Sequence, residues 1–383
     1  MQCNISLLVG LKNNLDYNKH FYSTTRLLYP EVEICFVSYG STDGTHEWLD
    51  SLNDPNVKYF YSNKNKTFSD TFNKATKLAT KEYVAYLHND IVLAPGFLEN
   101  LEKHISPNNV VSYTTIEPPI FGGHTRPGKI IYDLGSDLET FNIQELYKFV
   151  YENQSAYKDK IEEGIIFFMC LRREVLLQIG GMDNLFNPMF CEDDDLILRL
   201  KLYGLNQFTA LDAICYHFVS KTSRFSEEYQ NKTQLIEINS NRNFVRKWGF
   251  RHSKHNKRYN IAYVVDKCNY DMMVALEPWC DRLYTDDEMG VLFAYYYDAE
   301  QKNTSYDLKK RILTTKYNNP IGENDVIVEF DGTKLNLDSF SILQQLPDII
   351  TESGEVGTFE LDIFKITINN IESKIKDLIF ISK

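Results

Sequence analysis

Four consecutive acids, Glu192, Asp193, Asp194 and Asp195, stand in front of an apolar run of Leu196, Ile197, Leu198, Leu200 and Leu202. This is the pattern of a helix start, where exposed N–H groups and the positive dipole end stabilise carboxylates. Leu196, Leu200 and Tyr203 recur at i, i+4 and i+7, so one face packs inward, and Gly204 can close the helix in the left-handed conformation. A well-capped surface helix needs one or two such acids, and four repel one another. Some of these carboxylates therefore have another task. A second polar set, His88-Asn89-Asp90, ends the apolar run YVAYL. A carboxylate closing a buried strand, beside an amide and an imidazole, suits a hard divalent cation. Mn²⁺ and Mg²⁺ prefer oxygen ligands and keep positions open for phosphate oxygens. Pro95 and Gly96 put the next helix at 97–104, too far on for Asp90 to be its cap. The third set is Ser38-Tyr39-Gly40-Ser41-Thr42-Asp43-Gly44-Thr45. Its glycines allow a tight turn and its hydroxyls and carboxylate can meet a ligand, although the same residues also make an ordinary turn.

The elements that must hold these sets alternate. Strands are expected at 5–11, 32–38, 57–61 and 83–87, and helices at 13–28, 46–52 and 68–79. Such alternation predicts an α/β fold, a mostly parallel sheet with helices on both faces. Ligands of such sheets bind outside the carboxyl ends of the strands, which is where two of the polar sets fall. Residues 116–136 are rich in Pro and Gly and read as a loop at the ligand face, a lid or acceptor wall, or else a plain insertion. His124 and Arg126 lie at its centre. Residues 141–163 read as helical.

The chain of 383 residues is too long for one ordinary domain. The pattern resets after residue 258, giving an N-terminal catalytic domain, 1–258, and a small α/β accessory domain, 259–383. In the second, strands are expected at 259–265, 326–330, 358–368 and 378–381, with a helix at 337–346. It holds no catalytic set; Tyr295-Tyr296-Tyr297 reads as core or as the seam of a homodimer. A net charge of −12 argues against a general affinity for nucleic acid. Seven scattered cysteines without a CxxC pair point to buried thiols in a reducing setting and not to zinc. No run of about 18 apolar residues is present, so no transmembrane segment is expected. The N-terminus reads as a first strand and not as a signal peptide. A cytoplasmic protein, free or peripheral to a membrane, is the expectation.

Taken in order, Ser41-Thr42-Asp43-Gly44-Thr45, His88-Asn89-Asp90 and Gly180-Gly181-Met182-Asp183…Glu192-Asp193-Asp194-Asp195-Leu196…Arg199 resemble the inverting family 2 glycosyltransferases of GT-A fold, in their rhamnosyltransferase-like branch. The resemblance covers roughly residues 3–250. It implies that Asp90 binds the metal on the donor diphosphate, with His217 as a second metal ligand by position. It implies Asp193 as the general base for the acceptor hydroxyl, with Glu192 supporting it or touching the acceptor. Ser38, Tyr39, Asp43, Asn89, Asp90 and Arg172 would bind the donor, and Asp183, with His124 and Arg126, the acceptor. Asp195 and Arg199 would hold the helix start together, while Arg173, Arg242, Arg246 and Lys247 are basic residues available to phosphates. Two departures bear on specificity. Ser38 stands where the family carries an Asp that contacts the nucleobase, and HND replaces DxD; Tyr39 offers a ring that can stack on a base. Both UDP- and dTDP-sugars stay open as donors. The implied reaction is inverting transfer of the sugar to a hydroxyl acceptor, in glycan or polysaccharide synthesis, with Mn²⁺ or Mg²⁺ bound. A sugar-phosphate nucleotidyltransferase is an alternative, but VGLKNNLDYN lacks the glycine-rich basic loop that a triphosphate needs. A non-catalytic nucleotide-sugar-binding module is the other; intact Asp90 and Asp193 argue against it.

Overall fold

The computed structural model describes residues 4–120, 126–219, 229, 231–316 and 324–381. They form two compact units, residues 1–234 with 380–383, and residues 235–379. In the first, the expected alternation opens the chain as β1 (Ile5–Leu11), α1 (Leu15–Leu28), β2 (Glu33–Tyr39), α2 (Thr45–Ser51), β3 (Val57–Ser62), α3 (Phe68–Leu78) and β4 (Tyr83–His88). It continues as β5 (Ile91–Leu93), α4 (Phe97–His104), β6 (Asn109–Glu117), β7 (Lys129–Ile131), α5 (Ile143–Tyr157), β8 (Ile161–Glu163), β9 (Met169–Arg172), α6 (Arg173–Ile179), α7 (Glu192–Tyr203) and β10 (Asn206–His217). Helix α8 (Thr233–Trp248) belongs from residue 235 on to the second unit. The helix expected over 141–163 stops at Tyr157, and 161–163 pair instead with β10.

The sheet order is β3-β2-β1-β4-β9-β6-β10-β5, with β7 on β6 and β8 on β10. β1 lies parallel between β2 and β4 and is buried on both faces, as a strand covered by helices on each side must be. Gly10 lets α3 close on this strand, since a Cβ there would meet Thr71 Cγ2 at 3.0 Å. A capping box starts α3, with Thr67 and Asp70 each satisfying the other's backbone N–H. Register sets the site. Leu11 pairs with Ser38, and Gly10 with His88, so the carboxyl ends of β1, β2 and β4 reach one sheet edge together. β5 then turns back against β10, pairing Ile91 with His217. The end of β10 is thereby laid beside the turn that carries Asp90.

The second unit is built from β11 (Ile261–Asp266), α9 (Tyr270–Leu276), β12 (Arg282–Thr285), α10 (Val291–Glu300), α11 (Leu308–Arg311), β13 (Ile312–Thr314), β14 (Val326–Asp331), α12 (Leu337–Ser353), β15 (Gly357–Leu361) and β16 (Phe364–Ile368). Its sheet runs β13-β12-β11-β14-β16-β15. The single strand expected over 358–368 is a hairpin. Asp362 reverses the chain with a φ of 53°, a left-handed conformation that Asp tolerates better than most residues. The strand expected at 378–381 does not form; its first residue, Leu378, closes a 3₁₀ turn, Ile375–Leu378. Its apolar residues pack individually, Phe380 edge-on to Tyr203, while the Ile381 N–H donates to Ile179 O.

Two of the arginines offered to phosphates are instead part of this unit's core. Glu277 is fully buried and accepts hydrogen bonds from Arg246 Nη2 at 2.8 Å, Arg311 Nε at 2.5 Å and Tyr296 Oη at 2.7 Å. Glu300 accepts from Arg246 at 2.6 Å and Arg242 at 2.9 Å. Tyr296 is thus spent inward, while Tyr295 is 69% exposed, so the tyrosine run forms no single face. Burial alone would raise the Glu277 pKa, but the Arg311 and Arg246 guanidiniums outweigh it and hold it at about 2. A depressed carboxylate contributes stability above its ordinary pKa of 4.5, and that stability is lost as pH falls from there toward 2. Glu277→Ala should therefore cost about 3–5 kcal/mol in chemical denaturation, since it strands two buried cations. It should also flatten the acid limb of the stability profile; an unchanged acid limb would contradict this account.

Candidate active site

The carboxyl ends of β1, β2, β4, β6 and β10 open on a cavity of about 530 Å³. Lys12 and Tyr39 line it from the first two strands, and His88, Glu117 and His217 from the other three. Phe68, Phe72, Phe167 and Phe168 give it an aromatic wall, and Glu192 and Asp193 reach it from α7.

His88, Asp90 and His217 hold ligand atoms within 4.8 Å of one another. Asp90 Oδ1 lies 3.5 Å from His217 Nε2 and 3.9 Å from His88 Nδ1. Glu117 Oε1 stands 3.1 Å from His217 Nδ1. A carboxylate there holds a proton on Nδ1 and turns Nε2 toward Asp90, the usual support of a metal-binding histidine. His88 Nε2 and His217 Nε2 are buried and make no hydrogen bond, and buried polar atoms in that state call for a ligand. The charges agree. Burial works against a charged His217, yet Asp90 and Glu117 outweigh it and raise its pKa to about 9. Burial takes His88 the other way, down to about 4, and leaves it a neutral lone-pair donor. The surroundings therefore favour one positive charge at this spot, and the residues present fit a divalent cation.

The four acids of α7 part company. Asp195 is buried and accepts from Arg199 Nε at 2.7 Å, while Arg199 Nη2 donates to Gly181 O at 2.5 Å and Nη1 to Ile179 O at 3.3 Å. That pair pins the start of α7 to the turn after α6. Asn73 ties the same turn to α3 by bonding both Met182 N and Met182 O at 2.8 Å. Asp194 is exposed. Glu192 and Asp193 remain for the cavity. Phe190 and Cys191 lead into the helix with φ of 76° and 65°, a left-handed backbone that costs energy outside glycine and is characteristic of functional sites.

The other residues singled out in the sequence fall in several places. Tyr39 and Arg126 line the cavity; the Arg126 guanidinium bonds Glu117 and, at 2.7 Å, Thr115 Oγ1. Ser38 is fully buried, its hydroxyl 2.8 Å from Ser41 Oγ and 3.1 Å from His46 Nε2. Asp43 is exposed and accepts from Leu15 N at 2.8 Å and Thr45 N at 3.1 Å, holding the β2 turn to α1. Asn89 points away from the cavity and donates to Asn18 Oδ1 at 2.6 Å. Asp183 caps the 3₁₀ turn Asn184–Phe186 through Leu185 N, at 3.0 Å. Arg172 pairs with Tyr83, at the opposite end of β4 from His88, and faces Glu82 and Glu174 at 3.6 and 3.4 Å. The structure does not bring it to the cavity. His124 lies outside the described residues.

Three members were missed. His88 was within reach, because residues two apart at a strand end point to the same side and so pair it with Asp90. Lys12 and Glu117 carry no local signal. Lys12 Nζ bonds Tyr39 O at 3.2 Å and Gly40 O at 3.0 Å across the sheet, and Glu117 meets His217 only through the pairing of β6 with β10.

Residues 17–180 match the family model described as Glycosyl transferase family 2. The glycosyltransferase match takes in the β2 turn and His88-Asn89-Asp90 and ends before Glu192 and His217. No curated protein matches the chain. Among solved structures, the chain is similar to the mannosyltransferase PcManGT from Pyrobaculum calidifontis in complex with GDP-Man and Mn²⁺. Identity is 18% and the TM-score 0.40, covering 58% of this chain and 59% of that one. It is also similar to GalNAc-T7 with UDP, GalNAc and Mn²⁺, at 14% identity and a TM-score of 0.44, covering 63% of this chain and 47% of that one. The chain thus spans less than two thirds of either. The family match over 17–180 and the mixed, mostly parallel sheet flanked by helices are consistent with the GT-A fold.

The carboxylate behind His217 can be tested alone. Glu117→Gln should weaken Mn²⁺ binding to the full chain by about 10–100-fold in titration calorimetry. An affinity equal to that of the unsubstituted chain would exclude the orienting role.

Proposed function

We propose that this chain is an inverting glycosyltransferase that moves a sugar from a UDP- or dTDP-sugar to a hydroxyl acceptor, akin to the rhamnosyltransferase-like branch, in glycan or polysaccharide synthesis. One observation carries the reading: His88 and His217, in contact with Asp90, share a cavity with Glu192 and Asp193. Single-displacement inversion needs one base on the face opposite the leaving group, and Asp193 has that role. It takes the acceptor proton as the acceptor oxygen attacks the anomeric carbon. A divalent cation, when bound, supplies charge stabilisation for the departing diphosphate. His88, Asp90 and His217 would hold it, and two imidazoles with one carboxylate suit Mn²⁺ better than Mg²⁺. Tyr39 and Lys12 border the nucleotide end, with Tyr39 stacking on the base. Ser38, Asp43 and Asn89 act indirectly by fixing the turns behind it. Arg126 holds Glu117 and faces the same cavity; with Asp183 it belongs to the acceptor side. Arg172 has no part.

In this reading residues 1–258 carry the reaction and residues 259–383 are accessory. A homodimer seam on the accessory part would use exposed residues such as Met289 and Tyr295, 88% and 69% accessible. Among the described residues no helix is long and apolar enough to cross a membrane; a cytoplasmic site of action, free or peripheral to a membrane, completes the proposal.

The test is nucleotide release from a panel of UDP- and dTDP-sugars with Mn²⁺ and a glycan acceptor. Asp193→Asn should lower transfer by about 10²–10⁴-fold, the usual worth of a general base, and leave donor-dependent thermal stabilisation in place. Chelation with EDTA should stop the reaction. Undiminished transfer by Asp193→Asn would remove the base assignment, and metal-independent release would remove the role of the triad.

A further inference from the structure

We propose that Glu192 works as an uncharged carboxylic acid that donates a hydrogen bond to the acceptor, while its neighbour Asp193 takes the proton. The inference rests on the glycosyl-transfer reading of this cavity and adds to it a division of labour between adjacent carboxyls.

The geometry is that of a group held for a ligand. Glu192 is 7% exposed, lines the cavity, and its Oε2 has no hydrogen-bond partner. Among the described residues it makes no ion pair. Its neighbours on the approach to α7 are apolar: Pro188, Met189 and Phe190, all lining the same cavity. A bare carboxylate so placed would be costly, whereas a protonated one needs only an oxygen to donate to. Burial raises its pKa well above the usual range, and the charges of Asp193, Asp194 and Asp195 push the same way, against a smaller opposing effect of its own backbone N–H. Around the rest of the cavity stand Lys12, Lys66, Arg126, Glu117, His88 and His217, with the phenols of Tyr39 and Tyr229. Two adjacent carboxyls in unlike settings divide into an acid and a base, a recurrent way of assigning roles in active sites.

The bond changes close without further reactants. The acceptor oxygen bonds to the anomeric carbon, the carbon–oxygen bond to the diphosphate breaks with its electron pair, and the acceptor proton passes to Asp193. Glu192 keeps its own proton throughout. A neutral donor at this position selects an acceptor that presents a lone pair beside the attacking hydroxyl, such as a second hydroxyl or the ring oxygen of a sugar. It gives no advantage to an ammonium group.

The experiment compares Glu192→Gln and Glu192→Ala with the unsubstituted chain. At neutral pH, infrared difference spectra against Glu192→Gln should show the carbonyl stretch of one protonated carboxylic acid in the unsubstituted protein. Glutamine still donates, so its acceptor KM should stay within about threefold, whereas Glu192→Ala should raise acceptor KM about tenfold with donor KM unchanged, the loss of one neutral hydrogen bond. A carboxyl with a raised folded pKa loses stability as pH rises above its ordinary 4.5, so Glu192→Gln should gain melting temperature over the unsubstituted chain in that direction. A carboxylate stretch in place of the acid band, or a glutamine variant as impaired as the alanine one, overturns the proposal. If the unsubstituted chain transfers no sugar from any donor, the underlying reading fails instead, and the infrared band still decides the state of Glu192.

Discussion

Asp90 is 1% exposed, and a buried carboxylate must be answered by a charge. The sheet supplies the answer through one pairing. β5 folds back on β10 so that Ile91 lies opposite His217, which lowers an imidazole onto the turn holding Asp90. Glu117, from the next strand in the sheet, then fixes that imidazole from behind. Nothing in β4 alone could do this. The second imidazole of the triad, His88, comes from β4 itself. The triad is thus a product of strand order, and a shift of register by one residue would turn His217 to the opposite face.

The acidic helix obeys a second constraint, that four like charges cannot share one environment. The fold separates them. Asp195 is neutralised by Arg199 in the core, Asp194 goes to water, and Asp193 and Glu192 face the cavity in different surroundings. The Asp195–Arg199 pair also carries the anchoring of α7 to the Gly180-Gly181 turn, so the placement of Glu192 and Asp193 in the cavity depends on it. Removing either partner of such a pair would leave an uncompensated buried charge and displace both cavity acids.

Much of this was legible in the residues. Apolar runs closed by turn chemistry gave the strand–helix alternation through β4, and Gly204 marked the end of α7, where it sits at a φ of 102°. The surplus of acids at the head of α7 and Asp90 at the tip of a strand were visible as chemistry because a helix start is served by one or two acids and a strand end needs none. Other features depend on contacts far apart in sequence. Arg242 and Arg246 look like phosphate binders until Glu277 and Glu300 are seen beside them. Arg172 reads as a site residue until its pairing with Tyr83 puts it at the far end of the sheet. The hairpin at Asp362 hides in a run of strand-forming residues because a single left-handed residue suffices to reverse it.

The account turns on a cation held by His88, Asp90 and His217 in the cavity that Asp193 faces. Anomalous diffraction from crystals grown with Mn²⁺ and a nucleoside diphosphate tests it most directly. The account predicts one strong peak in bonding contact with those three side chains, with the diphosphate bound to the same ion and Asp193 across the cavity from it. A peak elsewhere on the chain, with the three side chains left uncoordinated, would contradict it.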